Sequence, residues 1–134
     1  YLSQSVILTR ISGRASSVPE SEKLEYFART EAVLAIHLSV HRLSEIVDVL
    51  IPYYGKSCPV AIVWRASWPD QKIITKTLNY FINFENNILD RTAIIFVGKT
   101  LGDSKVRESS LYSINYDRRF RPTGSNPRFP DESN

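Results

Sequence analysis

The strongest constraint on this fold is a set of short, continuously apolar runs: "SVILTR" (5–10), "AVLAIHLSV" (32–40), "CPVAIVWRA" (58–66) and "RTAIIFVGKTL" (91–101). Runs of this length, rich in Val and Ile, read as strands. Apolar character at successive positions suits a sheet covered on both faces, and "SVILTR" is read as buried in this way. Between the strands lie stretches with helical periodicity. In "ESEKLEYFARTE", Leu24, Phe27 and Ala28 fall on one face, with Ser17 or Ser21 placed to cap the helix. In "HRLSEIVDVLIPYYG", Leu43, Ile46, Val47 and Leu50 repeat the pattern, and Pro52 and Gly55 read as stop signals. "KIITKTL" (72–78) is either a short strand or the entry to a helix running through "NYFINFENNIL". Strands separated by helices of about ten to fifteen residues predict an α/β layer fold.

A chain of 134 residues with 43% hydrophobic and 23% charged residues fits one globular domain with a real core. Seventeen Lys and Arg against fourteen Asp and Glu leave a net charge of +3, spread along the sequence. That excess is too small to imply nucleic acid and suits a multiply anionic small molecule equally well. The single cysteine, Cys58, allows no intrachain disulfide. No apolar run approaches the roughly 18 residues of a membrane span, and the first residues lack a signal-peptide layout. A soluble, cytoplasmic protein without nucleic-acid or membrane partners is expected. The chain contains no methionine and opens at Tyr1, a few residues before a strand, so it is read as a fragment cut near a domain boundary. From Tyr116 onward periodicity gives way to Pro, Gly and polar residues, and most of that tail is expected to be mobile.

In sheets of this kind ligands sit beyond the carboxyl ends of the strands. Three strands here end in unusual polar text, "TRISGR", "LSVH" and "WRASWPD", which marks that edge as the place for a site. The common catalytic patterns are missing. His37 and His41 have the spacing of two helical zinc ligands, but one falls in a strand and the other opens a helix, so they are read as structural or polar-lining residues rather than metal ligands. Cys58 precedes a proline at a strand start with no histidine suggested as partner. Asp70 and Asp90 read as turn residues, and "RRFR" (118–121) as a solvated basic tail. There is no glycine-rich dinucleotide loop, phosphate loop or nucleophile elbow. With no acid–base pair, metal cluster or activated nucleophile, no catalytic residue is assigned. The chain is then either a binding domain or part of an enzyme that works by positioning two reactants.

The segments "ILTRISGRASSVPE", "HLSVHRLSEIV", "YYGKSCPVAIVWRASWPDQKIITKTL", "RTAIIFVGKTLG" and "SLYSINYDRRFRP" together resemble the tetrapyrrole (corrin/porphyrin) methylase family. Their order is that of the members acting on carbon 11 of precorrin-4. The resemblance covers roughly residues 5 to 122. It implies an S-adenosylmethionine-dependent methyltransferase of cobalamin biosynthesis built from two domains and acting as a homodimer. Residues 1–122 would be the carboxyl-terminal domain, a three-layer α/β unit around a five-stranded mixed sheet flanked by helices, followed by a flexible tail at 123–134. The implied substrate is precorrin-4 or cobalt-precorrin-4, and the isolated chain is expected to be inactive without the amino-terminal half. Two alternatives stay open: another member of the family, acting at a different ring carbon or on uroporphyrinogen III, and a non-catalytic α/β module for dimerisation or anion binding.

The resemblance also implies site residues. Leu38 with Ser39, Ala66 with Ser67, and Thr92 with Ala93 would meet the cofactor, the small side chains letting the backbone approach it. Small residues at these places equally permit close strand packing. Arg10, Arg14 and Arg65 stand at the loop ends facing the implied cleft, where guanidinium groups suit the carboxylate arms of a tetrapyrrole. The alternative for each is a surface arginine. Trp64 and Trp68, flanking Arg65, either fix it and face the macrocycle or cover the sheet edge.

Overall fold

A computed structural model of the chain describes residues 3–13, 16–85, 89–90 and 92–102, all within the compact unit Tyr1–Ser104. Strands β1 (Val6–Arg10), β2 (Val33–His37), β3 (Pro59–Trp64), β4 (Lys72–Thr77) and β5 (Ile94–Val97) are joined by helices α1 (Leu24–Ala28) and α2 (Leu43–Tyr54) and by short 3-10 turns. The expected five-stranded mixed sheet is present, in the order β1-β2-β5-β3-β4. The mobile tail expected from Tyr116, including 123–134, lies outside the described residues, as does Arg14.

Strand direction is what builds the site. β1 and β2 pair in parallel, β5 runs antiparallel to both β2 and β3, and β4 runs antiparallel to β3. The chain therefore leaves β1, β2 and β3 at one edge and enters β4 and β5 there. Register carries this across the sheet: Arg10 lies opposite His37, His37 opposite Ile94, Ile94 opposite Val63, and Trp64 opposite Lys72.

One face of the sheet carries the core. Leu34, Ile36, Val60, Ile62, Ile95 and Val97 pack in one cluster with Leu24 and Ala28 of α1, Leu43, Ile46, Val47 and Leu50 of α2, and Leu78 and Phe81. Apolar side chains removed from water in this way are the main favourable term in folding. The opposite face is not covered evenly among the described residues: Ala35 is buried, but Val6, Leu8 and Ile73 are exposed. The helices described therefore form one layer, and β1 is an edge strand with an exposed face rather than the buried strand its composition suggested. A run of Val, Ile and Leu cannot by itself distinguish the two.

Other boundaries moved for local reasons. β2 stops at His37 instead of reaching Val40, because Leu38 turns into the left-handed region at φ 56. Neither Ser17 nor Ser21 caps α1; its N-cap is Lys23, with no side-chain cap. Pro52 lies inside α2 rather than stopping it. Gly55 ends the helix at φ 81, donating its N–H to Ile51 O at 2.9 Å, the conformational role glycine fills most cheaply. "KIITKTL" takes the strand alternative, and Leu78–Phe81 form a 3-10 turn instead of opening a long helix.

Gly98 is needed for a different reason. Its backbone is extended, but a Cβ there would lie 2.9 Å from Val33 Cγ2. Valine is stiff about χ1 and its own strand is buried, so relief requires backbone movement. Gly98→Ala is expected to lower the unfolding free energy by about 1 to 2 kcal/mol, within the overpacking range. Urea titration with an unchanged slope checks this.

Candidate functional site

The edge where β1, β2 and β3 end is locally strained. Of the four non-glycine residues with positive φ among the described residues, three lie there: Leu38 (56°), Arg65 (49°) and Ser67 (67°). Each costs roughly 1 to 2 kcal/mol relative to ordinary backbone, and such residues cluster where function over-determines the chain path. The strain at Leu38 has a visible result. It turns an apolar side chain outward, 56% exposed, directly after a strand buried at all but its last residue.

Ser39, the next residue, is fully buried. Its hydroxyl donates to His37 O at 2.6 Å and accepts from Ile11 N–H at 3.1 Å. Ser39 therefore ties the exit of β1 to the exit of β2, and its side chain is committed to the fold. Ser39→Ala leaves the Ile11 amide without that acceptor and is expected to cost about 1 kcal/mol. Faster amide exchange at Ile11, measured by NMR, checks the cause.

The loop after β3 is ordered around Arg65. Its guanidinium carbon lies 5.0 Å from the Trp64 ring centre and 4.8 Å from that of Trp68, so the flanking tryptophans do hold it. Such contacts contribute about 0.5 to 1 kcal/mol each at exposed sites. The same guanidinium pairs with Asp70. The Ser67 amide donates to Gln71 Oε1 at 2.7 Å and Trp68 N–H to Arg65 O at 3.0 Å. Between them Ala66 and Ser67 are exposed. The Lys72 ammonium sits 5.4 Å from the Trp64 ring centre.

The entry to β5 is held by Asp90. One carboxylate oxygen, Oδ1, accepts from Thr92 N–H at 2.9 Å, from the Thr92 hydroxyl at 2.6 Å and from Trp64 Nε1–H at 3.1 Å. The Thr92 hydroxyl, with its amide and Trp64, holds the Asp90 carboxyl below the usual range. Ala93 is buried and donates its N–H to Asp90 O at 3.1 Å. The amides of Thr92 and Ala93 are thus both used internally.

The first exit loop is bound back on itself. Arg10 donates to Ser16 O at 3.4 Å and to Ser17 O at 3.3 Å. Arg42 pairs with Glu45 and donates to Ser12 O, fixing the loop to the start of α2. A cavity of about 230 Å³ remains between them, lined by Arg10, Ile11, Ser12, Val18, Arg42 and Ile46 among others. Cys58 is buried, and burial pushes its thiol up, away from the thiolate form.

The described members of the expected set thus all lie at one sheet edge, Arg10 as the last residue of β1 and Leu38, Ser39, Arg65, Ala66, Ser67, Thr92 and Ala93 in its loops. Sequence reasoning did not single out Arg42 or Gln71, and read Asp70 and Asp90 as turn residues without naming what they hold. Asp90 had a usable signal, an Asp two residues before a Thr whose amide it accepts. Arg42 reaches Ser12 over 30 residues and left no local signal, whereas Asp70 and Gln71 partner Arg65 and Ser67 within the same loop.

A model of the Tetrapyrrole (Corrin/Porphyrin) Methylases family matches residues 2–81. The chain belongs to this family. It is 50% identical over 124 residues to a precorrin-4 C(11)-methyltransferase of a Sinorhizobium species, covering 92% of this chain and 49% of the relative. It is 37% identical over 122 residues to a cobalt-precorrin-4 C(11)-methyltransferase of Methanocaldococcus jannaschii, covering 90% and 47%. This tetrapyrrole methylase therefore spans about half the length of the curated relatives it matches. Among solved structures, a cobalt precorrin-4 methyltransferase superposes with a TM-score of 0.66 at 34% identity, over 72% of this chain and 41% of that one. Uroporphyrin-III C-methyltransferase from Thermus thermophilus, complexed with S-adenosylhomocysteine, shares the fold with a TM-score of 0.60 at 20% identity, over 73% and 41%.

Proposed function

We propose that this chain is the carboxyl-terminal half of an S-adenosylmethionine-dependent enzyme that methylates precorrin-4, or its cobalt form, at carbon 11 in cobalamin biosynthesis. The observation that carries this reading is the gathering of three strand exits and the β5 entry at one edge, in a chain 50% identical to a protein of that name. Identity to the uroporphyrin-III enzyme is only 20%, which favours precorrin-4 over uroporphyrinogen III. The same reading takes the complete enzyme to be a cytoplasmic homodimer. Among the described residues no helix is long and apolar enough to cross a membrane.

The edge suits the cofactor and substrate chemically. Leu38 offers exposed apolar surface, and Ala66 and Ser67 offer an exposed loop with little side-chain bulk, as a purine or a methionine chain requires. Leu38, Ala66, Ser67 and Thr92 would hold S-adenosylmethionine, with Ser39 and Ala93 shaping the wall from beneath. When bound, the cofactor supplies an activated methyl group on a sulfonium. Arg65, and with it Arg10 and Arg14, would take the substrate's carboxylates through charge-assisted hydrogen bonds. The tryptophans restrict Arg65, so less freedom is lost when it binds. The residues then act by binding, aligning and excluding water, which is consistent with catalysis by positioning.

The test is methyl transfer by the complete enzyme, with precorrin-4 and uroporphyrinogen III offered in turn and the product assigned by mass and NMR. A C11-methylated product supports the reading; methylated uroporphyrinogen III, or no product and no cofactor binding, overturns it. The 134 residues alone are expected to be inactive. Arg65→Ala, and likewise Arg14→Ala, is expected to raise KM for the tetrapyrrole about 10-fold or more, as loss of a charged hydrogen bond does, with a smaller loss of cofactor affinity. Equal loss of both affinities counts against these assignments.

A further inference from the structure

We propose that Asp90 is a positioning residue that locks the loop after β3 to the entry of β5 and so sets the cofactor-binding wall as one unit. The inference rests on the functional reading above. It starts from an asymmetry: the three hydrogen bonds from Trp64 and Thr92 all end on the same oxygen, Oδ1. Among the described residues no strand pairing reaches 66–67 and 92–93, two of the segments assigned to the cofactor, to set their separation. β3 ends at Trp64 and β5 begins at Ile94, and the last paired residues are Val63 and Ile94. Beyond them Asp90 bridges the gap. It grips the indole of Trp64, against which Arg65 stacks, and it forms the turn that places Thr92 and, through its own carbonyl, Ala93.

Because one oxygen serves all three donors, the role needs an acceptor at the Oδ1 position rather than a negative charge. An asparagine whose Oδ1 takes that place satisfies the same three donors. An alanine satisfies none, leaving the indole free to rotate and the turn unclosed. A purely electrostatic role toward the nearby Arg65 would show the opposite pattern, with asparagine as damaging as alanine.

The experiment uses the complete enzyme and S-adenosylhomocysteine as probe. Calorimetry gives its affinity, and the indole N–H resonance of Trp64 reports the lock. Asp90→Ala is expected to weaken S-adenosylhomocysteine binding about 10-fold, to raise KM for the tetrapyrrole less, and to shift the Trp64 indole resonance upfield. Asp90→Asn is expected to stay within about threefold of wild type in affinity and to keep the resonance. If Asp90→Ala does not fold, Trp64→Phe, which deletes the Nε1–H donor and keeps a ring, is expected to weaken binding in the same direction. Equal affinity of wild type and Asp90→Ala, or of wild type and Trp64→Phe where that variant stands in, overturns the proposal. So does an asparagine variant as weak as the alanine one. A wild-type enzyme that does not bind S-adenosylhomocysteine overturns the functional reading together with this one, and the wild-type titration alone distinguishes the cases.

Discussion

Phe81→Ala is expected to lower the unfolding free energy by about 3 to 5 kcal/mol, the range for truncating a fully enclosed phenylalanine. Phe81 is completely buried, in the cluster shared by the sheet and both helices. Its ring meets Phe84 edge-on at 5.2 Å between centroids and Tyr80 at 5.1 Å. Truncation forfeits transfer energy and these aromatic contacts, and leaves a cavity that the surrounding β-branched residues fill poorly. Against a total of about 5 to 15 kcal/mol for a typical domain this is a large share. Guanidinium unfolding of the variant beside wild type measures it. A change below about 1 kcal/mol would mean that the 3-10 turn after β4 is not a core element.

The second large effect is alkaline. Tyr54 is buried and donates its hydroxyl to Ala32 O at 2.5 Å; burial pushes its pKa up to about 12. A folded-state pKa above the unfolded value of about 10 means that the folded protein holds this proton more tightly. The associated stability is fully present below pH 10 and is lost as pH rises from about 10 to about 12. A shift of two units corresponds to about 3 kcal/mol as an upper figure. Tyr54→Phe removes this dependence. Below pH 10 wild type is expected to be the more stable by about 1 kcal/mol, the value of the lost hydrogen bond. Between pH 10 and 12 that advantage is expected to shrink and reverse. Cys58, also raised by burial, adds a loss of the same sign in both proteins. Parallel stability curves for the two proteins above pH 10 would refute the assignment to Tyr54.

Much of the fold was legible because apolar periodicity reports burial directly. Leu43, Ile46, Val47 and Leu50 line the inner face of α2 as their spacing required, and Gly55 closes the helix with the positive φ that only glycine adopts without strain. What failed were matters decided by neighbours. "SVILTR" looks the same whether it is central or at an edge, so the exposure of Val6 and Leu8 could not be read from it. Pro52 was taken as a stop, but α2 runs past it to the buried Tyr54; the bond it removes from the Asp48 carbonyl is a cost that the helix's packed apolar face offsets. At the site, the strand exits were found by their odd polar text. The partners that hold them, Ser39 to Ile11 over 28 residues and Trp64 to Asp90 over 26, depend on tertiary approach and have no local signature.

The last strand among the described residues occupies the centre of the sheet. β5 lies between β2 and β3, so within the sheet the β1–β2 and β3–β4 pairs are joined through residues 94–97. That pairing closes contacts far apart in sequence, the slow kind in folding. It also brings the Leu38 turn and the 65–68 loop to one edge. Ligand recognition at this edge is thereby tied to the pairing of β5 rather than to either flanking strand pair.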